Sequence, residues 1–133
     1  MKKLLMLLLS LAAMLGFPAC NAQGQSTPAF QSVDVNTFET IIADTAVIRL
    51  DVRQLQEFNE GHIPGAAVID VLQPDFEEKA LARLPKDRTI ALYCRSGRRS
   101  KKAAAVLAEN GYTVVELSTG WIGWVNAGKP VEK

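Results

Sequence analysis

Short apolar runs alternate with longer polar and apolar segments from Phe30 to the end of the chain. The runs 46–52 and 89–93 have the length and composition typical of buried strands. The segment 98–109 instead places apolar residues three and four positions apart, which predicts a helix with one buried face. The whole pattern predicts strands at 30–35, 46–52, 66–71, 89–93 and 113–117, and helices at 36–43, 54–60, 75–84, 98–109 and 121–127.

Strands that alternate with helices through short connections are typical of a parallel sheet. We therefore predict an α/β fold with one three-layer domain over residues 30–133, which has a mainly parallel central sheet of about five strands and helices on both faces. The length of 133 residues suits one domain and not two. Asn36 is the predicted N-cap of the first helix, because Glu39 follows three residues later.

The first 22 residues have a different pattern, which is typical of a secretory signal peptide. Lys2 and Lys3 precede an apolar run from Leu4 to Leu15, and small residues follow. The run has 12 residues, whereas a transmembrane helix needs roughly 18 or more. We therefore predict that residues 1–22 direct export, and that residues 23–29 form a polar linker.

Two cleavage sites fit the end of this signal. Phe17–Cys20 resembles a bacterial lipobox, in which the cysteine is lipidated and becomes the new N-terminus, so Cys20 is a candidate lipidation site. The alternative is cleavage after Ala22, which also follows small residues. Both routes predict a location in the periplasm or cell envelope of a bacterium, and the first adds a lipid anchor in the membrane.

Charge is balanced over the chain and concentrated at one place. The formal net charge of +1, with 48% hydrophobic and 22% charged residues, is typical of a globular protein and excludes a general nucleic-acid-binding polycation. Removal of Lys2 and Lys3 with the signal would change that charge to −1. Even so, five basic residues follow Cys94 within eight positions: Arg95, Arg98, Arg99, Lys101 and Lys102.

Cys94 lies at the junction between a predicted strand and the N-terminus of the helix at 98–109. Parallel sheets bind ligands beyond the carboxyl ends of their strands, and a loop N–H nest followed by a helix N-terminus favours an anion. Both would lower the pKa of the thiol and favour the thiolate. The predicted domain holds no second cysteine, so a structural disulfide within it is excluded. Simple packing of a buried cysteine beside a solvated basic face is the competing interpretation, but cations at a helix N-terminus cost stability unless an anion binds.

Three motifs, in order along the chain, resemble those of the rhodanese family of single-domain sulfurtransferases. The segment Cys94–Arg99 is similar to the six-residue active-site loop of that family. Similar N-terminal and C-terminal signatures are Asp51-Val52-Arg53 with Glu57-Phe58 and Gly61–Ala66, and Gly120-Trp121 with Trp124 and Gly128–Val131. The sequence departs from the family at Ser118-Thr119-Gly120, where a glycine pair is common.

The resemblance implies a sulfurtransferase of the thiosulfate type with Cys94 as its catalytic nucleophile. The Cys94 thiolate would take sulfane sulfur from a small anionic donor such as thiosulfate, and the resulting persulfide would pass it to a thiol or to cyanide. The implied substrate-binding residues are Arg53, Arg95, Ser96, Gly97, Arg98, Arg99 and Ser100. No cofactor, metal ion or nucleic acid is expected, and a protein acceptor is not identified by the sequence.

Two alternative functions remain open. One is a persulfide carrier or binding module with little thiosulfate turnover. The other is a phosphatase or arsenate reductase. The active-site loop of those enzymes resembles the pattern Cys-x5-Arg, whereas here Ser100 occupies the sixth position after Cys94 and the arginine comes one position earlier, at Arg99. The shorter loop favours sulfur over phosphate. Outside the loop, we expect His62 to bond to backbone in a turn, Asp51 to fix a loop as an ion pair, and Trp121 and Trp124 to pack in the core.

Overall fold

The computed structural model describes residues 29–133 and contains one five-stranded, wholly parallel sheet. Its strands, in chain order, are β1 (Gln31–Val33), β2 (Ile48–Asp51), β3 (Ala67–Val68), β4 (Ile90–Tyr93) and β5 (Val114–Leu117). Their order across the sheet is β1-β5-β4-β2-β3. The predictions for the signal peptide, its cleavage and Cys20, and all but the last residue of the linker, lie outside the described residues.

Five helices connect or follow these strands: α1 (Val35–Ile42), α2 (Leu55–Glu60), α3 (Phe76–Arg83), α4 (Arg98–Glu109) and α5 (Gly120–Asn126). None of the helices in residues 29–133 is long and apolar enough to cross a membrane. The bounds of α4 agree with the prediction, and the ends of the other helices differ from it by at most one residue.

Alternate side chains of the sheet enter two separate cores, as strand geometry requires. On one face, Leu50 and Leu92 pack with residues of α3 and α4, including Phe76 and Leu107. On the other face, Ala91, Tyr93, Val115 and Leu117 pack with Phe38 and Ile42 of α1 and Trp124 of α5. The three-layer α/β fold predicted from the sequence is therefore confirmed.

Two local predictions are wrong. The N-cap of α1 is Asp34 and not Asn36, because the Asp34 carboxylate accepts a hydrogen bond from the Thr37 backbone N–H at 2.8 Å. The third strand contains two residues in place of the predicted six. Its ladder ends at Val68, after which the N–H groups of Ile69 and Val71 still bond to carbonyls at the end of β2, outside the regular pairing.

The central strand β4 determines where chemistry can take place. It lies between β2 and β5, so the carboxyl ends of all three strands meet at one edge of the sheet. Cys94 follows β4 directly, Asp51 ends β2, and Ser118 follows β5. The parallel topology thus brings together three segments that are distant in sequence, at the edge where α/β proteins bind ligands.

Candidate active site

The Cys94 sulfur lies inside a loop formed by residues 94–97, between β4 and α4. The residue is only 1% exposed, and the Gly97 backbone N–H donates to the sulfur at an N···S distance of 3.1 Å. Burial by itself would raise the pKa of the Cys94 thiol, but its hydrogen bond with the Ser100 hydroxyl and those from the N–H groups of Ser100, Gly97 and Ser96 bring it below its ordinary value. The loop therefore stabilises negative charge on the sulfur.

The backbone of this loop is fixed from behind by the segment that follows β5. The carbonyl oxygens of Cys94 and Arg95 accept hydrogen bonds from the N–H groups of Trp121 at 2.8 Å and Ile122 at 3.0 Å, in the first turn of α5. These bonds hold both carbonyls against α5, while the Gly97 N–H of the same loop donates to the sulfur. The α5 N-terminus thus orients the loop without supplying a side chain.

Glycine is required at two points of this contact. Gly97 has φ +99°, and a Cβ there would lie 2.2 Å from the Ser118 carbonyl oxygen. Gly120 has φ +63°, and its Cβ would lie 2.5 Å from the Arg95 carbonyl oxygen. The departure from a glycine pair concerns Thr119, whose φ of −97° is accessible to any residue. Gly120, which packs against the Arg95 carbonyl, is retained.

The three arginines of the loop have different surroundings. Arg99 forms a bidentate ion pair with Glu57 of α2, at 2.8 and 3.0 Å, and this contact lowers the pKa of Glu57. Arg95 and Arg98 are exposed, and within residues 29–133 their side chains form no hydrogen bond or ion pair. Arg99 therefore joins α4 to α2, whereas Arg95 and Arg98 leave their charge available to an anion.

Arg53 is held in a separate buried ion pair. Its guanidinium donates to both oxygens of Asp51, at 2.9 to 3.1 Å from Nε and 2.6 Å from Nη2, and also to the Gly61 carbonyl at 2.7 Å. Asp51 is 0% and Arg53 3% exposed, and the guanidinium lies over the Trp121 ring at 4.8 Å. The ion pair that is expected for Asp51 is present, and its partner is Arg53, whose guanidinium is also held against the Trp121 ring.

Glu116 is a site residue without a counterpart among the sequence predictions. Its side chain is fully buried, and it accepts a hydrogen bond from the Ser100 hydroxyl at 2.5 Å, while the Ser100 oxygen lies 3.5 Å from the Cys94 sulfur. The available signal was a charged residue inside the apolar strand Val114–Leu117. A buried carboxylate needs partners, and the sequence alone did not indicate which residues supply them.

His62 and Trp124, which the sequence places outside the loop, make contacts that stabilise the fold. The Nδ1 of His62 bonds to the Phe58 carbonyl at 2.8 Å, as expected, and its ring stacks on the Phe58 ring. Trp124 packs edge-on against Phe38 and donates its indole N–H to the Pro130 carbonyl. Within residues 29–133, no three His, Cys, Asp or Glu side chains lie close enough together to hold a metal ion.

Residues 34–127 match the family model described as Rhodanese-like domain. The chain is 35% identical over 101 residues to a sulfurtransferase of Allochromatium vinosum, covering 74% of this chain and 92% of that protein. It is 36% identical to the putative sulfurtransferase YtwF of Bacillus subtilis, covering 69% and 86% of the two chains. Thiosulfate sulfurtransferase PspE of Escherichia coli is 35% identical over 72 residues, which cover 53% of this chain and 67% of PspE.

Solved structures give the same fold. The crystal structure of a rhodanese-related protein from Thermoplasma volcanium superimposes with a TM-score of 0.69 at 28% identity, covering 77% of this chain and 98% of that one. A rhodanese-like domain from Anabaena superimposes with a TM-score of 0.69 at 27% identity, covering 78% and 80% of the two chains.

Proposed function

This chain belongs to the family of rhodanese-like domains, and on that premise we propose that it moves sulfane sulfur from an anionic donor such as thiosulfate to a thiol or cyanide through a persulfide on Cys94. Its sulfurtransferase relatives support sulfur transfer in general. The observation that carries the specific proposal is the arrangement of N–H groups around one buried sulfur, Cys94 Sγ. Such donors stabilise a thiolate before the reaction and a persulfide anion after it.

The proposed reaction has two displacements on sulfur. In the first, the Cys94 thiolate attacks the outer sulfur of thiosulfate, the bond between the two thiosulfate sulfurs breaks, and its electron pair leaves with sulfite. The product is a Cys94 persulfide anion. In the second, cyanide or an acceptor thiolate attacks the outer sulfur, and the Cys94 thiolate leaves. Neither step requires a metal ion or a redox partner, and charge balances in both.

Arg95 and Arg98 are the residues that we assign to attraction of the donor. Both side chains are exposed, follow Cys94 within four positions and lack a carboxylate partner within residues 29–133. Arg99, in contrast, is neutralised by Glu57. A dianion such as thiosulfate would therefore be drawn to the loop mainly by the first two, through an interaction that salt screens.

Replacing both Arg95 and Arg98 by alanine should raise KM for thiosulfate about tenfold and change kcat by less than about threefold, because two exposed charges act on binding and not on the sulfur itself. Steady-state kinetics at low ionic strength, repeated with added salt, measure this. Arg88→Ala, at the opposite edge of the sheet, is the matched control and should leave KM unchanged. An unchanged KM in the Arg95/Arg98 variant at low salt would refute the assignment.

The N-terminal sequence supports a further proposal on location. We propose that residues 1–22 direct export, and that cleavage before Cys20 and lipidation there place the domain of residues 30–133 on the cell envelope. Expressed in a bacterium, the chain should partition into membranes and detergent, and Cys20→Ala should release it into the soluble periplasmic fraction. Cytoplasmic protein that still begins at Met1 would contradict export. Soluble protein beginning at Gln23 would instead support cleavage after Ala22.

A persulfide carrier is the second candidate function, and one observation favours it. Leu55, Leu72 and Ile122 are 59%, 52% and 40% exposed, and all follow carboxyl ends of strands at the edge where Cys94 lies. Exposed apolar side chains next to a reactive site are typical of a surface that contacts a protein. Negligible thiosulfate turnover together with rapid sulfur uptake from a protein persulfide would favour the carrier over the enzyme.

A further inference from the structure

The carboxylate of Glu116 lies beneath the candidate active site in a fully buried position. Groups from two elements face it. Ser32 of β1 donates to Oε1, Ser100 of α4 donates to Oε2 at 2.5 Å, and the Lys101 ammonium of α4 lies 3.4 Å from Oε1. Lys101 is 51% exposed and is the single cation in this set. The proposed transfer reaction assigns no role to this carboxylate.

Ser100 connects Glu116 to the reacting sulfur. Its oxygen lies 2.5 Å from the Glu116 carboxylate and 3.5 Å from Cys94 Sγ. A hydroxyl has one hydrogen to donate. When Ser100 donates to an ionised Glu116, it can only accept from the sulfur, so Cys94 must be the thiol. When Ser100 donates to a Cys94 thiolate, Glu116 must be protonated and donate to Ser100. The two hydrogen-bond patterns therefore differ by the position of one proton.

From this geometry we infer that Glu116 is the internal acceptor of the Cys94 proton, which reaches it through Ser100. In one concerted transfer, the S–H bond of Cys94 breaks as a new O–H bond forms on Ser100, while the original Ser100 O–H bond breaks and its proton binds Glu116. No electron leaves or enters, and no proton reaches solvent. Glu116 thus acts through Ser100 and never touches the sulfur donor.

Electrostatic repulsion favours a state in which the Cys94 sulfur and the Glu116 carboxylate share one proton. Cys94 Sγ and the Glu116 carboxylate are at most about 6 Å apart, judged from the two hydrogen bonds that join them. Two negative charges at that separation in a buried site repel strongly, as in pairs of carboxylates that share one proton. Lys101, Ser32 and Ser100 stabilise the charge when it is on Glu116, and the N–H groups of the loop stabilise it when it is on Cys94. The loop and the carboxylate thus compete for a single charge.

The inference rests on the proposed function only in that Cys94 is the nucleophile, and its test requires no sulfur donor. In the full chain with Cys20→Ser, thiolate absorbance should rise in two steps with pH, with a plateau over the range in which the pair holds one proton. On that plateau, infrared difference spectra should show the carbonyl stretch of a protonated glutamic acid. Cys94→Ala, which leaves Glu116 unaltered, should lose this band at the same pH.

Two variants test the path of the proton. Glu116→Gln removes the proton acceptor, so it should lose the band and titrate Cys94 in a single step. Ser100→Ala leaves both titrating groups in place, so it should keep two steps but move the plateau to a different pH range, because the hydroxyl no longer joins Cys94 to Glu116. Glu39→Gln, on the surface of α1, is the matched control and should retain the plateau and the band. Thermal unfolding verifies that each variant is folded.

A single-step titration of the parent chain, with no protonated-carboxyl band at any pH at which Cys94 is a thiolate, would overturn the inference. The comparison between the parent and Cys94→Ala decides this even if the Glu116 variants do not fold. Because neither measurement involves turnover, the relay can fail while Cys94 still transfers sulfur.

Discussion

Cys94→Ala should abolish thiocyanate formation from thiosulfate and cyanide, with kcat/KM reduced by at least about 10⁴-fold. The expected loss is this large because both displacements pass through a covalent bond to Cys94 Sγ. Alanine leaves the N–H groups of Gly97 and Ser100 in place, but they then have no sulfur to stabilise. The thiol also has no substitute, since Cys94 is the only cysteine in residues 29–133.

The parent for this comparison is the full chain with Cys20→Ser, so that Cys94 is its single thiol. Thiocyanate is measured colorimetrically, with thermal unfolding as a check on folding. Loss of the buried thiol from the core should lower the midpoint temperature of unfolding only modestly, because alanine is also small and apolar. Turnover of the folded Cys94→Ala protein at more than a tenth of the parent rate would rule out Cys94 as the nucleophile.

Asp51→Ala should destabilise the domain by about 3 to 5 kcal/mol, because it leaves the charge of Arg53 buried without a counter-ion. Arg53 is 3% exposed, and after the substitution its guanidinium would retain one hydrogen bond, to the Gly61 carbonyl, along with the ring of Trp121. Asp51 also accepts from the Arg53 backbone N–H at 2.9 Å, so the turn after β2 would lose a second contact. Urea unfolding measures the change in free energy.

The double variant Asp51→Ala/Arg53→Met distinguishes an unpaired charge from a simple cavity. Removing both charges should recover a large part of the lost stability, since an apolar replacement of a buried ion pair is often close to neutral. A loss below about 1 kcal/mol in Asp51→Ala, or no recovery in the double variant, would contradict this account of the pair. Lys79→Ala, which breaks an exposed pair with Asp75, is the comparison and should cost less than about 1 kcal/mol.

The alternation of apolar and polar segments was sufficient to predict the fold, because a parallel sheet with two covered faces leaves a strong pattern in its central strands. β4 is buried at every position, and its prediction was correct to within one residue. The edge strand β3 was predicted too long, because residues after Val68 keep an apolar pattern while they leave the ladder. The pattern indicates burial, and burial does not distinguish a paired strand from a packed loop.

The site was predictable where its parts are consecutive in sequence and not where they meet across the sheet. Cys94 and its loop follow from one strand, one glycine and one helix N-terminus. The pairing of Arg99 with Glu57 joins residues 42 positions apart, and the Ser100–Glu116 contact joins different elements. The sequence assigned the same substrate-binding role to four arginines. The tertiary contacts separate Arg53 and Arg99, which form ion pairs, from Arg95 and Arg98.

The most direct test of the central proposal is the intact mass of the protein after incubation with thiosulfate alone. The full chain with Cys20→Ser, reduced and then freed of small molecules, should gain the mass of one sulfur atom. Cyanide should remove that sulfur as thiocyanate, and Cys94→Ala should gain none. A folded, reduced protein that gains no sulfur would contradict the thiosulfate reaction and leave the carrier function, with a protein persulfide as the donor, as the remaining candidate.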